Sequence, residues 1–322
     1  MRSGMKRVAY AGIFTGIFGA GLATAIGFTP PAETVPAEAV VRDLSALEGV
    51  SESCWSFVRS KRIYFAHQSV GSNIIKGTAE ILDRLASIGI DVRSYRDPSK
   101  RGSGEPSAFA KPGVVHGAAG ANGSPEEKIA AFASFLGTKE AEEVDIALLK
   151  LCYADIGKTT DVDALFQHYT KAMEALAKRR PTLRIIHCTV PLKAPEVGAK
   201  AQVKKLLAKG TESVNALRGR FNDLLRNRYD ATNVFDVARA ESEHADGTES
   251  TVSVSGTRWP ALASEYTDDG GHLNELGRFV VAREFLLTLG KQCPPANAAT
   301  KPAVGAAAAG VGAREEVVSG RN

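Results

Sequence analysis

No two of the four cysteines, Cys54, Cys152, Cys188 and Cys293, stand in a C-x-x-C spacing. That spacing is what zinc ribbons and dithiol redox centres need, so neither is indicated. Nor is there a basic stripe interleaved with aromatic residues, which argues against a nucleic-acid partner. No segment repeats itself, so the chain is not a solenoid or a propeller. The last stretch, 294–322, is rich in Ala, Gly and Pro, contains AAAAGVGA and lacks large apolar residues. Such a segment has too little to bury to offset the entropy of ordering, and it reads as a disordered tail.

What is present is an ordinary globular composition, 44% hydrophobic and 24% charged in 322 residues. The one long apolar run lies at the start. Arg2, Lys6 and Arg7 precede a nearly unbroken apolar stretch from Val8 to Phe28. Basic first and apolar second is the pattern of an export signal, with Ala23-Thr24-Ala25 as a small-residue cleavage site. Uncleaved, the run is long enough to span a bilayer. Removing its three basic residues takes the formal charge from +4 to +1. Residues 29–41, with three prolines, read as a linker, leaving a folded body over 42–293. Cys54 and Cys293 flank that body. Domain termini often meet and exported proteins keep disulfides, so a Cys54–Cys293 staple is expected. Cys152 and Cys188, in apolar runs, read as buried thiols.

Within the body, apolar strands alternate with amphipathic helices. The strands are RIYFA (62–66), IDVRSY (90–95), DIALLKL (145–151), LRIIHCTVPL (183–192) and NVFDV (233–237). Helical periodicity covers 72–89, 161–179, 211–229 and 274–289. Another helix opens at Ser124-Pro125-Glu126-Glu127, read as a capping box with Pro at the first helical position. Asn274 and Gly290 read as the caps of the last helix. A Gly- and Pro-rich loop fills the space from 96 to 123. Near-continuous apolar strands imply a sheet covered on both faces. Five strands with right-handed crossovers give a three-layer α/β/α sandwich, flavodoxin-like, with a mostly parallel sheet. Its working edge lies where the strands end.

Two stretches at that edge carry candidate chemistry. The first is YFAHQSVGSNI (64–74), where Ser69 follows the first strand at a helix start. A serine there is either a helix cap or a nucleophile that needs a base. The second is YTDDGGHLNELG (266–277), where Asp269 precedes His272 by three residues just before the last helix. A turn of that length can fold the carboxylate onto one imidazole nitrogen and leave the other facing a site. Gly270 and Gly271 give the turn its freedom. The plainer reading is a surface turn with a helix-capping acid. Of the other histidines, His187 reads as a core residue, His168 as a solvated or half-buried side chain, and His116 as a loop residue over the working edge. A zinc site from His67, His116, Asp269 and His272 is conceivable, but no spacing demands it.

Together these residues resemble the SGNH (GDSL-type) hydrolases over about residues 60–290. The resemblance implies a three-layer α/β/α esterase with Ser69 as nucleophile, His272 as base and Asp269 as its acid partner. It implies no cofactor and no metal. HGAAGANGSPEEKI (116–129) resembles the family's second block, whose glycine supplies an oxyanion N–H; Gly120 is the match, with Gly123 a rival and Asn122 a side-chain donor. The chain departs from the family pattern in two places. His67-Gln68 replaces the usual Gly-Asp before the serine. In LCYAD (151–155), Asp155 matches the family aspartate, but Ala154 stands where an asparagine belongs. Asn122 or Asn73 would then complete the oxyanion hole, with Gln68 lining the pocket, His67 a pocket or structural histidine, and Asp155 either orienting the pocket loop or serving as a cap. The implied substrate is a small-molecule or glycan ester, carbohydrate acetyl esters above all. Acyl transfer to a glycan, or a non-catalytic glycan- or partner-binding module, are the alternatives. A membrane contact is expected only through an uncleaved N-terminal segment.

Overall fold

The first strand sets the architecture. Within Arg62–Ala66 (β1), Ile63 and Phe65 turn to one face of the sheet and Tyr64 and Ala66 to the other, all of them buried. That is the two-residue alternation of an extended chain with apolar layers on both sides. The computed structural model describes residues 42–96, 106–196 and 211–294; the N-terminal segment, the linker and the Ala/Gly-rich tail lie outside them.

Ser45–Glu48 (α1) and Glu52–Arg59 (α2) lead into β1. Then follow Val70–Arg84 (α3), Val92–Ser94 (β2), Gly113–Gly117 (β3), Pro125–Phe135 (α4) and Ile146–Leu149 (β4). Val162–Arg179 (α5), Arg184–Cys188 (β5), Thr211–Arg228 (α6), Val234–Phe235 (β6) and Val237–Ser242 (α7) come next. A hairpin of Thr251–Val254 (β7) and Thr257–Pro260 (β8) precedes the last helix, Glu275–Gly290 (α8).

The central sheet has the order β2-β3-β1-β4-β5-β6, every neighbouring pair parallel. The expectation of five strands is corrected to six. The sixth is β3, GVVHG, inside the stretch read as loop. It holds only two strongly apolar residues between glycines, and its pairing with β1 comes from residues about fifty positions away. No local pattern announces such a strand. The antiparallel β7–β8 hairpin, in a polar stretch, was likewise unread.

One face of the sheet is covered by α2, α3 and α8. Ile74 and Ile81 of α3 pack with Phe279, Phe285 and Leu286 of α8 around Ile63 and Phe65. Gly77 lets these two helices touch: a β-carbon there would come within 2.5 Å of the Arg278 carbonyl oxygen. On the other face, Phe132, Leu165, Tyr169, Met173 and Phe221 from α4, α5 and α6 pack on Tyr64, Ala66 and Val115. Full burial of each such side chain contributes about 1.5–3 kcal/mol. Asn274 caps α8, accepting from the Gly277 N–H at 3.0 Å. The capping box expected at Ser124 does not form: Pro125 opens α4, but the Ser124 side chain makes no capping bond. Helix α3 starts at Val70 rather than 72 and ends at Arg84, and a 3-10 turn, Ala86–Ile88, finishes the segment. Helix α8 runs through Gly290, so its C-cap is Lys291. Cys54 and Cys293 are joined by a disulfide, while Cys152 and Cys188 are buried free thiols. Among the described residues no helix is long and apolar enough to cross a membrane.

From β1 the chain moves to one side of the sheet for β2 and β3, then to the other for β4, β5 and β6. The reversal leaves a crevice at the carboxyl end of β1, the position where doubly wound sheets bind ligands. The segments after β1, β3 and β4 converge there. They carry Ser69, Gly120 and Tyr153.

Candidate active site

Ser69 occupies the turn between β1 and α3 with φ 52° and ψ −110°. A side chain in this left-handed region costs on the order of 1–3 kcal/mol and persists only where the surroundings enforce it. The turn gives Ser69 no capping role; its side chain makes no cap bond to α3. Instead Ser69 Oγ lies 2.7 Å from His272 Nε2. His272 Nδ1 lies 2.6 Å from Asp269 Oδ2. With the Nδ1 proton directed to the carboxylate, Nε2 is left to accept from the serine hydroxyl.

The acid is fixed by its own turn. Asp269 Oδ1 accepts from the Gly271 N–H at 2.8 Å and the His272 N–H at 2.7 Å. Gly270 takes φ 79°, and its N–H donates to Thr267 Oγ1. The hydrogen bonds from His272, side chain first and backbone second, hold the Asp269 carboxyl well below the usual carboxylate range. Both side chains remain open to water, 47% exposed for His272 and 57% for Asp269.

The loop after β3 approaches Ser69 from the other side. Gly120 adopts φ 59°, and a β-carbon there would meet the Lys128 backbone at 2.9 Å. Gln68 Nε2 donates to the Gly120 carbonyl and so ties the loop to the residue before the serine. Among the described residues neither the Ser69 nor the Gly120 backbone N–H meets an acceptor. Two unengaged N–H groups beside a nucleophile are what an oxyanion hole requires.

Asp155 lies beneath this loop rather than in the pocket. It is buried and accepts from Lys128 Nζ at 2.7 and 2.9 Å, from the Gly123 N–H at 2.8 Å and from the Cys152 N–H at 2.6 Å. Lys128, equally buried, also donates to Asn122 Oδ1 at 2.7 Å. The pair therefore fastens the Gly120–Gly123 loop to the end of β4. Asn73 sits on the first turn of α3 with its Oδ1 buried and without a partner among the described residues. His67 is likewise not a pocket residue. It is 6% exposed, and its Nε2 faces His116 Nδ1 at 3.1 Å. Burial pushes its pKa down to about 3, with Lys150 and His116 adding to the effect. His116 in turn meets Ser94 Oγ at 3.2 Å. Two pairs of groups once conceivable as metal ligands, His67 with His116 and Asp269 with His272, are thus each engaged internally. The described residues form no cluster of three or more metal-ligating side chains.

Tyr153 is the functional candidate that the sequence did not single out. It follows β4, directly before Ala154. Its ring stands edge-on to the His272 imidazole, centroids 5.9 Å apart, and its hydroxyl reaches the His272 turn, 3.2 Å from where a β-carbon on Gly271 would stand. Burial, followed by the charge of Asp269, raises its pKa, so it stays protonated. Lys193 Nζ and the Arg218 guanidinium lie 5.4 and 5.9 Å from the ring centroid. The only trace in the sequence was its place in LCYAD, one residue from Ala154.

No protein-family profile matches the chain, and no curated protein matches it. Solved structures give weak similarities. One is a candidate platelet activating factor from Streptococcus pneumonia, 14% identical with TM-score 0.34, covering 67% of this chain and 91% of that one. Another is a candidate lipolytic protein of the G-D-S-L family from Desulfitobacterium hafniense DCB-2, 14% identical with TM-score 0.35, covering 61% and 98%. The OSK domain of Drosophila Oskar follows at 12% identity and TM-score 0.28, covering 62% and 87%. Likeness this weak assigns neither a family nor an activity.

Proposed function

We propose that the chain is an SGNH-type serine esterase that cleaves acyl esters through an acyl-enzyme on Ser69. The hydrogen-bonded line from Ser69 Oγ through His272 to Asp269 carries the reading. A serine held in a strained turn, with its hydroxyl on an imidazole nitrogen, fits a nucleophile better than a helix cap.

In the reaction, His272 Nε2 takes the Ser69 proton as Oγ attacks the ester carbonyl. Asp269 stays ionised and stabilises the imidazolium that forms. The oxyanion meets the N–H groups of Ser69 and Gly120. The Tyr153 hydroxyl is the third donor, replacing the asparagine side chain that Ala154 lacks. His272 returns the proton to the leaving alcohol, and water then releases the acid by the same steps in reverse. Each step uses groups of this chain alone. The open exposure of His272 and Asp269 favours hydrolysis over acyl transfer, which needs water kept out, and suits an ester on an extended carrier such as a glycan. The Cys54–Cys293 disulfide and the basic-then-apolar start of the sequence support export to an oxidising compartment.

The test is labelling of the full chain with a fluorophosphonate, read by peptide mass spectrometry, followed by a screen of acetyl and short-chain esters. Label at Ser69 that vanishes in Ser69→Ala and His272→Ala is the expected result. A folded protein with no label would remove the esterase reading and leave a binding module.

A further inference from the structure

The segment after β5 holds a cation against the candidate active site. Its backbone is fixed at three points. Lys193 donates its N–H to Asn215 Oδ1 at 3.1 Å and accepts from Asn215 Nδ2 at 2.7 Å. The next residue, Ala194, donates to the Gly270 carbonyl at 3.0 Å, inside the turn that carries Asp269 and His272. Asn215 is fully buried and is itself braced by Arg218, which donates to Asn215 Oδ1 at 2.7 Å and to the Tyr153 carbonyl at 2.9 Å. One buried network therefore sets the positions of Lys193, Tyr153 and the His272 turn relative to one another.

The Lys193 side chain runs along that turn. A β-carbon on Gly271 would come within 3.3 Å of Lys193 Cε and 3.2 Å of the Tyr153 hydroxyl. The ammonium ends over the Tyr153 ring, 5.4 Å from its centroid. It forms no ion pair with a carboxylate among the described residues, and its hydrogen-bonding capacity is unused there. Asp269, in the turn to which this segment is bonded, is committed to His272. Arg218 beneath the same ring adds a second positive charge. A fixed cation with three unfilled donors at the rim of a reaction centre is built to meet an anionic oxygen.

Resting on the esterase reading, we propose that the substrate carries a carboxylate on its alcohol part and that Lys193 binds it. The side follows from the mechanism. The leaving oxygen must lie at His272, which protonates it, and Lys193 lies on the His272 side of Ser69, away from the Gly120 loop that would hold the acyl oxygen. The substrate class is thus an acyl ester of an acidic alcohol, such as an acylated uronate unit, rather than of a neutral sugar.

Two isosteric probes test this in the full chain: 4-acetoxybenzoate, which is anionic, and 4-acetoxybenzamide, which is neutral. The readout is the ratio of their kcat/KM values within each protein, so a general loss of rate in a variant cancels. The wild type is expected to prefer the anion by about tenfold, the scale of one charge-assisted hydrogen bond. That preference falls towards unity at high salt. Lys193→Met abolishes it, Lys193→Glu inverts it and Lys193→Arg keeps it. An active wild type with a ratio near one, or a preference that survives Lys193→Met, overturns the carboxylate site and leaves the esterase standing. If neither ester turns over and Ser69 takes no label, the esterase reading is the one that fails. The carboxylate site is then decided by NMR titration with 4-hydroxybenzoate against 4-hydroxybenzamide. Anion-selective shifts lost in Lys193→Met sustain it; equal or absent shifts end it.

Discussion

The Tyr153 ring meets the His272 imidazole edge-on, at an interplanar angle of 72°. The contact does two things at once. It packs an aromatic ring against the base, and it sets a phenol hydroxyl at the turn that carries His272. Tyr153→Phe separates these roles, because the ring stays and only the hydroxyl is lost. If the hydroxyl is the third oxyanion donor, kcat falls by about 10²-fold with KM within about twofold, the cost of one missing donor. Tyr153→Ala also releases His272 and lowers the rate further. An unchanged kcat in Tyr153→Phe would return the oxyanion hole to its two backbone N–H groups.

The Lys128–Asp155 pair makes a separate prediction about stability. Both groups are out of water and fully hydrogen-bonded. Removing one partner strands a buried charge, so Lys128→Met or Asp155→Asn should each lower unfolding free energy by about 3–5 kcal/mol in urea titrations. The double variant should cost less than the two singles together, because no unpaired charge then remains. Gly120 hangs on this pair through the loop it anchors. Activity per folded molecule should therefore fall as well, which a surface ion pair would not do.

The sheet and the catalytic candidates were legible for the same reason: their signals are local. Apolar runs of four or five residues announce buried strands, and Ser69 and the Asp269-x-x-His272 turn each sit within a few residues of an element boundary. What escaped depends on contacts far apart in sequence. Strand β3 exists because β1 offers it an edge. Lys128 is buried because Asp155, 27 residues on, waits beneath the helix. Gln68 looked like a pocket residue, and His67 like a pocket or structural one, because they flank the serine. They turn towards Gly120 and His116, partners supplied by the segment that includes the unread strand. Tyr153 and Lys193 had no pattern to mark them, since their meaning comes from a turn more than seventy residues later.

The disulfide closes nearly the whole body, joining positions 239 apart between α2 and the residues after α8. Replacing Cys54 and Cys293 together by serine should lower stability by about 2–5 kcal/mol. The same loss should follow reduction of the wild type by dithiothreitol, measured as a fall in Tm. The proposed triad lies at the other end of the strands from both sulfurs, so label at Ser69 should persist in the variant below its Tm. Loss of label at a temperature where circular dichroism still reports a folded chain would contradict this separation.

Glu241 predicts a pH dependence whose sign is fixed by burial. The carboxyl is fully buried; its Oε1 accepts from the Leu192 N–H, and its Oε2 has no partner among the described residues. Burial pushes its pKa up from 4.5 to about 8, against the pull of the Leu192 N–H, Lys150 and Arg218. The folded chain therefore holds a proton that the unfolded chain releases. That contribution is complete below pH 4.5 and is lost as pH rises towards 8. Glu241→Gln keeps the shape and removes the titration. Its unfolding free energy relative to the wild type should therefore rise between pH 5 and 9, by about 1–4 kcal/mol over the window. Subtracting the two curves cancels His67 and His187, which burial holds neutral and whose contributions change only on the acid side. A flat difference across that window would mean that Glu241 is ionised in the fold, with Lys150 and Arg218 outweighing its burial.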